Sequence, residues 1–171
     1  MPIKSPKELF VLMLSDLRQG AERSSKILEE ISQAAQDPDI KEALEARAFV
    51  NQKTLATIDQ CFKLMGEQPA KLTGRLWDVF VEDFRKELAE IQNPTARRLF
   101  ILAKINRLIH LRIAEYKALI AAADLSGHFG VGVLLESALA DKLALVERTE
   151  RLIRRIAEAR VAERIAERPA A

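Results

Sequence analysis

The sequence predicts an all-α fold: a bundle of four long helices, with a fifth and shorter helix in the connection between the second and third. Three observations carry that prediction. Hydrophobic residues make up 49% of the 171, but aromatics only 5%, and this Ala-, Leu-, Ile-, Glu- and Arg-rich mix is the composition of long helices. Apolar residues recur at three- and four-residue spacing along most of the chain, which places them on one face of each helix. The scarce prolines and glycines fall mostly between these periodic runs, where they end helices.

Ser5-Pro6-Lys7-Glu8 opens the first helix, with an N-cap serine, proline at the first helical position and Glu8 placed for a capping box. Phe10, Leu14, Leu17, Ala21, Ile27, Leu28 and Ile31 then trace an apolar stripe to about Ala35, and Asp37-Pro38-Asp39 breaks it. The second helix runs from about Ile40 to Met65, and Gly66 stops it. Its inward row reads Ala43, Arg47, Val50, Thr54, Ile58 and Cys61. Residues 67–74, with Pro69 and Gly74, form a loop. A shorter amphipathic helix follows from about Arg75 to Ile91, with Leu76, Val79, Phe80, Phe84 and Leu88 on its apolar side.

Asn93-Pro94 starts the central helix, which continues to Leu125 and ends at Ser126-Gly127. On it Ile105, Ile109, Arg112 and Tyr116 share one face, apolar except for Arg112. The last helix starts near Phe129 and continues toward Glu167, with an inner seam of Leu134, Ala138, Asp141, Leu145, Thr149, Leu152 and Ile156. Residues 1–171 read as a single helical domain, in which 157–171 form a projecting helical arm and tail because they outrun the other helices. Glu147/Arg151 and Glu150/Arg154 are i,i+4 pairs in the favourable order, which reads as a solvated face or a dimer contact.

About thirty residues separate the second and central helices, more than a tight hairpin needs, and four long helices with one such crossover form the ferritin-like layout. Sites in bundles of that kind sit mid-core and take carboxylates from all four helices, with Glu-x-x-His pairs on two of them. Here the middle of the bundle offers Glu22, Arg47, Arg112 and Asp141 from the four long helices in turn. His110 is the one mid-bundle histidine, and it points away from the Ile109 face. The other candidates are few. Cys61, the single cysteine, falls among apolar residues as a small buried hydrophobe; it leaves no intrachain disulfide, and a reducing cytoplasm is the expected location. Met13, Met65 and Trp77 read as core filler. No apolar run is long enough to span a bilayer.

The net charge of +2 gives no reason to expect a polyanionic partner, and the glutamates among the C-terminal arginines argue against nucleic acid. No glycine-rich phosphate loop, Ser/His/Asp set or zinc-type Cys/His spacing occurs, so a hydrolase or nucleotide-dependent enzyme is not expected.

Along nearly its whole length the chain resembles the YciE/YciF-type ferritin-like proteins. Ile3-Lys4, Glu8-Leu9-Phe10 and Leu14-Ser15-Asp16-Leu17 look like the family's opening, and Ala21-Glu22 like its Ala-Glu pair on the first helix. Ile58-Asp59-Gln60 is similar to a triplet that closes the family's second helix, and Ile113-Ala114-x-Tyr116 to a motif of its third. The resemblance implies a bacterial, stress-associated setting and a metal centre, and the chain departs from the family at the metal ligands. Where the family's second helix carries His-x-x-Glu, this chain has Arg47-Ala48-Phe49-Val50. Where its third carries Glu-His-Tyr-Glu, this chain has Ile109-His110-Leu111-Arg112. On the fourth, Ser137 replaces a glutamate ahead of Ala140-Asp141. Only Glu22, His110 and Asp141 stay compatible with metal.

Two carboxylates facing two guanidiniums leave no net negative charge for a pair of dications, and arginine has no lone pair to donate. The expected arrangement is therefore a buried charge network of Glu22, Arg47, Arg112 and Asp141, without metal or other cofactor. The expected function is that of a non-enzymatic structural or interaction protein, a homodimer with an unidentified protein partner. The alternative is an iron- or manganese-dependent oxidase or metal-storage protein using Glu22, His110 and Asp141.

Overall fold

The computed structural model describes residues 3–166, which form five helices: α1 (Pro6–Ala34), α2 (Pro38–Met65), α3 (Leu76–Glu90), α4 (Pro94–Leu125) and α5 (Phe129–Ala166). Residues 167–171 of the expected tail lie outside the described residues. The starts of α1, α2 and α4 and the end of α2 each have a local cause. The Ser5 hydroxyl accepts from the Glu8 N–H at 3.2 Å, while the Glu8 carboxylate reaches back one residue further than a standard capping box, accepting from the Lys4 N–H at 2.6 Å. The Asp37 carboxylate accepts from the N–H groups of Asp39 and Ile40 at 2.9 and 3.2 Å, with Pro38 as the first helical residue. Asp37-Pro38 is thus a start signal as well as a break, and α2 begins two residues before Ile40. Asn93 caps α4 in the same way, accepting from the Ala96 N–H at 2.9 Å. Gly66, at φ +66°, closes α2 in the left-handed conformation that residues bearing a Cβ disfavour.

The four long helices pack in a ring: α1 against α2, α2 against α5, α5 against α4, and α4 back against α1. The core lies in two apolar clusters, one toward each end. The first joins Phe10, Leu14, Ile58, Phe62, Tyr116, Leu119 and Leu135, from the start of α1, the ends of α2 and α4, and the start of α5. The second joins Ile27, Ile31, Ile40, Leu44, Ile105, Ile109, Leu145 and Leu152, from the opposite parts of the same helices. It follows that α1 and α5 run one way along the bundle and α2 and α4 the other. The link from α2 to α4 must travel the bundle's length, and α3 lies on that path, packed on α1 and α4. This is the ferritin-like four-helix bundle with a short helix in its crossover.

Register differs from the sequence reading in three places. The buried face of α2 carries Asn51, while Val50 is half-buried. On α5 the seam passes through Leu135 and Lys142, and their neighbours Leu134 and Asp141 are only half-buried. On α3 it is Trp77, Phe84 and Leu88 that are buried, whereas Leu76 and Val79 are exposed.

Candidate functional site

A polar layer separates the two apolar clusters, and its position can be read helix by helix. Ser24 lies between Ala21 and Ile27 on α1, and Arg47, Asn51 and Thr54 lie between Leu44 and Ile58 on α2. Arg112 lies between Ile109 and Tyr116 on α4, and Lys142 between Ala138 and Leu145 on α5. All six are buried, and the three cations are 8%, 6% and 6% exposed for Arg47, Arg112 and Lys142. Two of the three neutral members are satisfied: Asn51 Nδ2 donates across to the Ala21 carbonyl at 2.8 Å and to Ser25 Oγ at 2.9 Å, and Ser24 donates to the Gly20 carbonyl at 2.6 Å. The cations are served less well.

Arg112 is held by its surroundings on four sides. Its Nη1 donates to Glu115 Oε2 at 2.6 Å and, more weakly, to the Leu17 carbonyl at 3.4 Å. The guanidinium carbon lies 4.3 Å from the centroid of the Trp77 ring, a cation–π contact supplied by the crossover helix. Gly20 makes another wall: a Cβ there would fall 1.8 Å from Arg112 Nη2, so only glycine leaves room for this head group as it lies. Nη2 itself is buried, with no hydrogen-bond partner among the described residues. Burial pushes the Glu115 carboxyl above its ordinary pKa, and Arg112 pulls it back down.

Arg47 donates from Nη1 to the Ile105 carbonyl at 2.9 Å, across the bundle from α2 to α4. Among the described residues no carboxylate meets it, and burial, with the Arg112 charge second, pushes its pKa down to about 9. Lys142 has no hydrogen-bond or ion-pair partner among the described residues. Burial pushes it down to about 7, with the charges of Arg47 and Arg112 acting in the same direction and Asp141 opposing. Nearby, the Tyr116 hydroxyl is fully buried and pushed up to about 12, chiefly by burial, and makes no satisfactory hydrogen bond. Burial likewise pushes the Cys61 thiol up to about 11, which keeps it protonated and unreactive.

The residues expected at the centre are placed unequally. Arg47 and Arg112 are buried there, but Glu22 and Asp141 do not close a ring with them. Glu22 is exposed on α1 and pairs with Arg18, whose Nε also donates to Asp59 Oδ1 at 2.6 Å. Asp141 accepts from Lys53 Nζ at 2.8 Å on the outer edge of α2 and α5. In each case a cation at the surface captures the acid where water still solvates both, and neither carboxylate bears the cost of burial.

His110 is exposed, with Nδ1 3.0 Å from the Asn106 carbonyl, and is not brought to Glu22 or Asp141. Of the replaced ligand positions, Ile109 is fully buried, Val50 is half-buried and Ser137 faces solvent. Among the described residues no group of three His, Cys, Asp or Glu side chains comes together as metal ligands. The residues of the layer therefore do not fit a pair of dications: they contribute one carboxylate, already engaged by Arg112, against three cationic side chains. At separations of a few ångströms a dication and one arginine repel by several kcal/mol even at an effective dielectric near 20.

Several members of the site went unread in the sequence, Ser24 and Asn51 among them. Lys142 is one residue from the expected Asp141, and that single step turns a helical position by more than a quarter of a turn. Glu115 carries the signal of an i,i+3 partner for Arg112, and Gly20 that of an isolated glycine inside a helix, a position that usually has a packing reason. Trp77 was legible only as an apolar residue.

Four long helices, one crossover and a polar layer at mid-bundle define a ferritin-like protein. Residues 5–166 match DUF892, a domain of unknown function, and the chain belongs to that family. Its fold is that of YciF, a stress protein of E. coli, with a TM-score of 0.85 at 18% identity over 91% of this chain and 99% of that one. YcfI of Rhodopseudomonas palustris, provisionally described as a structural protein, gives 0.82 at 24% identity, over 86% of this chain and 94% of that one. A protein from Xanthomonas campestris pv. campestris gives 0.66 at 20%, over 91% and 99%. The YciE/YciF-type resemblance read from the motifs is thereby borne out. No curated protein matches the chain. Among the described residues no helix is long and apolar enough to cross a membrane.

Proposed function

We propose that this protein is a non-enzymatic structural or interaction member of its family, in which fixed cationic side chains stand at mid-bundle in place of a di-metal centre. One observation carries the reading: Arg47, Arg112 and Lys142 are buried in the layer between the apolar clusters, while Glu22 and Asp141 are spent on surface ion pairs. A site of that charge repels dications and has no free carboxylate to act as a base or a bridging ligand. The stress and structural descriptions of the two fold relatives agree with a role of this kind. The same reading takes the protein as a cytoplasmic homodimer.

Metal analysis of protein produced with added iron and manganese, and purified without chelator, tests the reading. The expected content is well below one ion per chain and unchanged in Glu22→Ala. Stoichiometric metal that disappears in Glu22→Ala would overturn it and restore a metal-dependent oxidase or storage protein.

A further inference from the structure

The central helix α4 carries apolar side chains on two faces. The inward face, through Ile105, Ile109 and Tyr116, is covered by the bundle. On the opposite side Leu111, Ala114, Ala118, Ala121 and Leu125 are all exposed, Leu125 at 75%. Their spacing alternates between three and four residues, so they form one row along the C-terminal half of α4, in the a and d pattern of a coiled-coil seam. A helix that is apolar all round is normally covered all round, and no element among the described residues buries this row. Lys117 and Asp124 lie one heptad apart along one flank of it, both exposed. The ion pairs of α4 are made by Arg98, Lys104 and Arg112, which leaves Lys117 and Asp124 free among the described residues.

The row is complementary to itself. With two copies of α4 laid antiparallel and Ala118 of one against the partner's Ala121, Leu125 falls on the partner's Ala114, large against small, at both ends of the overlap. The alanines between let the two axes approach toward the close end of the usual range of about 8–10 Å. The flanking charges choose the same register. Antiparallel, Lys117 meets the partner's Asp124 and Asp124 meets the partner's Lys117, whereas a parallel pair sets each residue against its own like. We infer that a second copy of this chain docks antiparallel along Leu111, Ala114, Ala118, Ala121 and Leu125, about a two-fold axis passing between Ala118 and Ala121. The inference rests on the homodimer of the reading given above, and it assigns the faces that meet.

Sedimentation equilibrium of the full chain at low ionic strength tests it. The unaltered protein is expected as a dimer, and Ala118→Glu, which drives two carboxylates into the seam, as a monomer. Asp124→Lys sets lysine against lysine at two symmetric places and should raise the dissociation constant about tenfold or more. Adding Lys117→Glu to that variant restores opposite charges and should recover the affinity. Three results would each overturn the antiparallel seam while the homodimer stands: a dimer undisturbed by Ala118→Glu, an Asp124→Lys dimer as tight as the unaltered one (the outcome of a parallel pairing), or a double variant no tighter than Asp124→Lys alone. A monomeric unaltered protein would overturn the seam and the homodimer together. The metal-free reading is decided separately, by the metal content.

Discussion

The ends of this bundle and its middle are built on opposite terms. At the end that holds Phe10, Leu14, Ile58 and Leu119, the interior is fully buried and almost wholly apolar, and each side chain removed from water contributes to stability. Two or three turns away, the same four helices bury Arg47, Arg112 and Lys142, whose desolvation costs more than their few hydrogen bonds return. The contrast shows where stability is made and where it is given up. On the function proposed above, residues kept buried against the protein's own stability mark a site with another purpose, at the level where a ferritin-like bundle keeps its ligands.

The sharpest way to probe that contrast is to cut into the apolar end. Phe10→Ala should lower unfolding free energy by about 3–5 kcal/mol, because it empties a fully buried aromatic position. Chemical denaturation gives the number, and a loss below about 1 kcal/mol would mean that this end contributes less to stability than its burial implies. At the edge of the layer, Gly20→Ala should cost about 1–3 kcal/mol by overpacking against Arg112, although alanine is the better helix former. Arg112→Ala in the same chain should turn that cost into a gain relative to Arg112→Ala alone. Additive effects in this double-mutant cycle would show that Gly20 and Arg112 do not share the space.

The smallest expected change is in the middle itself. Lys142→Met should leave stability at pH 7 unchanged or about 1 kcal/mol higher, since it replaces a buried and unpartnered amine by an apolar chain of similar length. Its pH signature is the sharper test. The folded protein holds Lys142 down at about 7, below the ordinary 10.5, so between those values the unfolded chain binds a proton that the folded one does not. Stability therefore rises with pH across that window, and Lys142→Met flattens the rise. Arg47, held down to about 9, adds a rise of the same sign only above that pH. Parallel pH curves for the two proteins would remove Lys142 from the buried layer.

Much of the architecture was legible because helix signals are local. Ser5-Pro6, Gly66, Asn93-Pro94 and Ser126-Gly127 lie at helix ends in the structure as their chemistry requires, and Ile105, Ile109, Arg112 and Tyr116 do share a buried face. The site was less legible, because its pairings depend on which neighbour wins. Arg18, four residues before Glu22, had the spacing of a same-helix partner, but the sequence did not say whether it or the core would take that carboxylate, or that Lys53 would hold Asp141. On α2 and α5 the apolar pattern runs widely enough around the helix that Val50 and Asn51, or Asp141 and Lys142, compete for one inward position. Only packing against three other helices decides between them. The role of Trp77 was hidden for a related reason: a cation–π contact between a crossover helix and a bundle helix joins residues distant in sequence.

That contact gives the molecule an optical probe of its own. The only indole in the chain lies face-on to the guanidinium at the centre of the bundle, so its fluorescence reports on one layer instead of averaging over many sites. Any event that moves charge or ligand into that layer can be followed in the emission spectrum of the unlabelled protein.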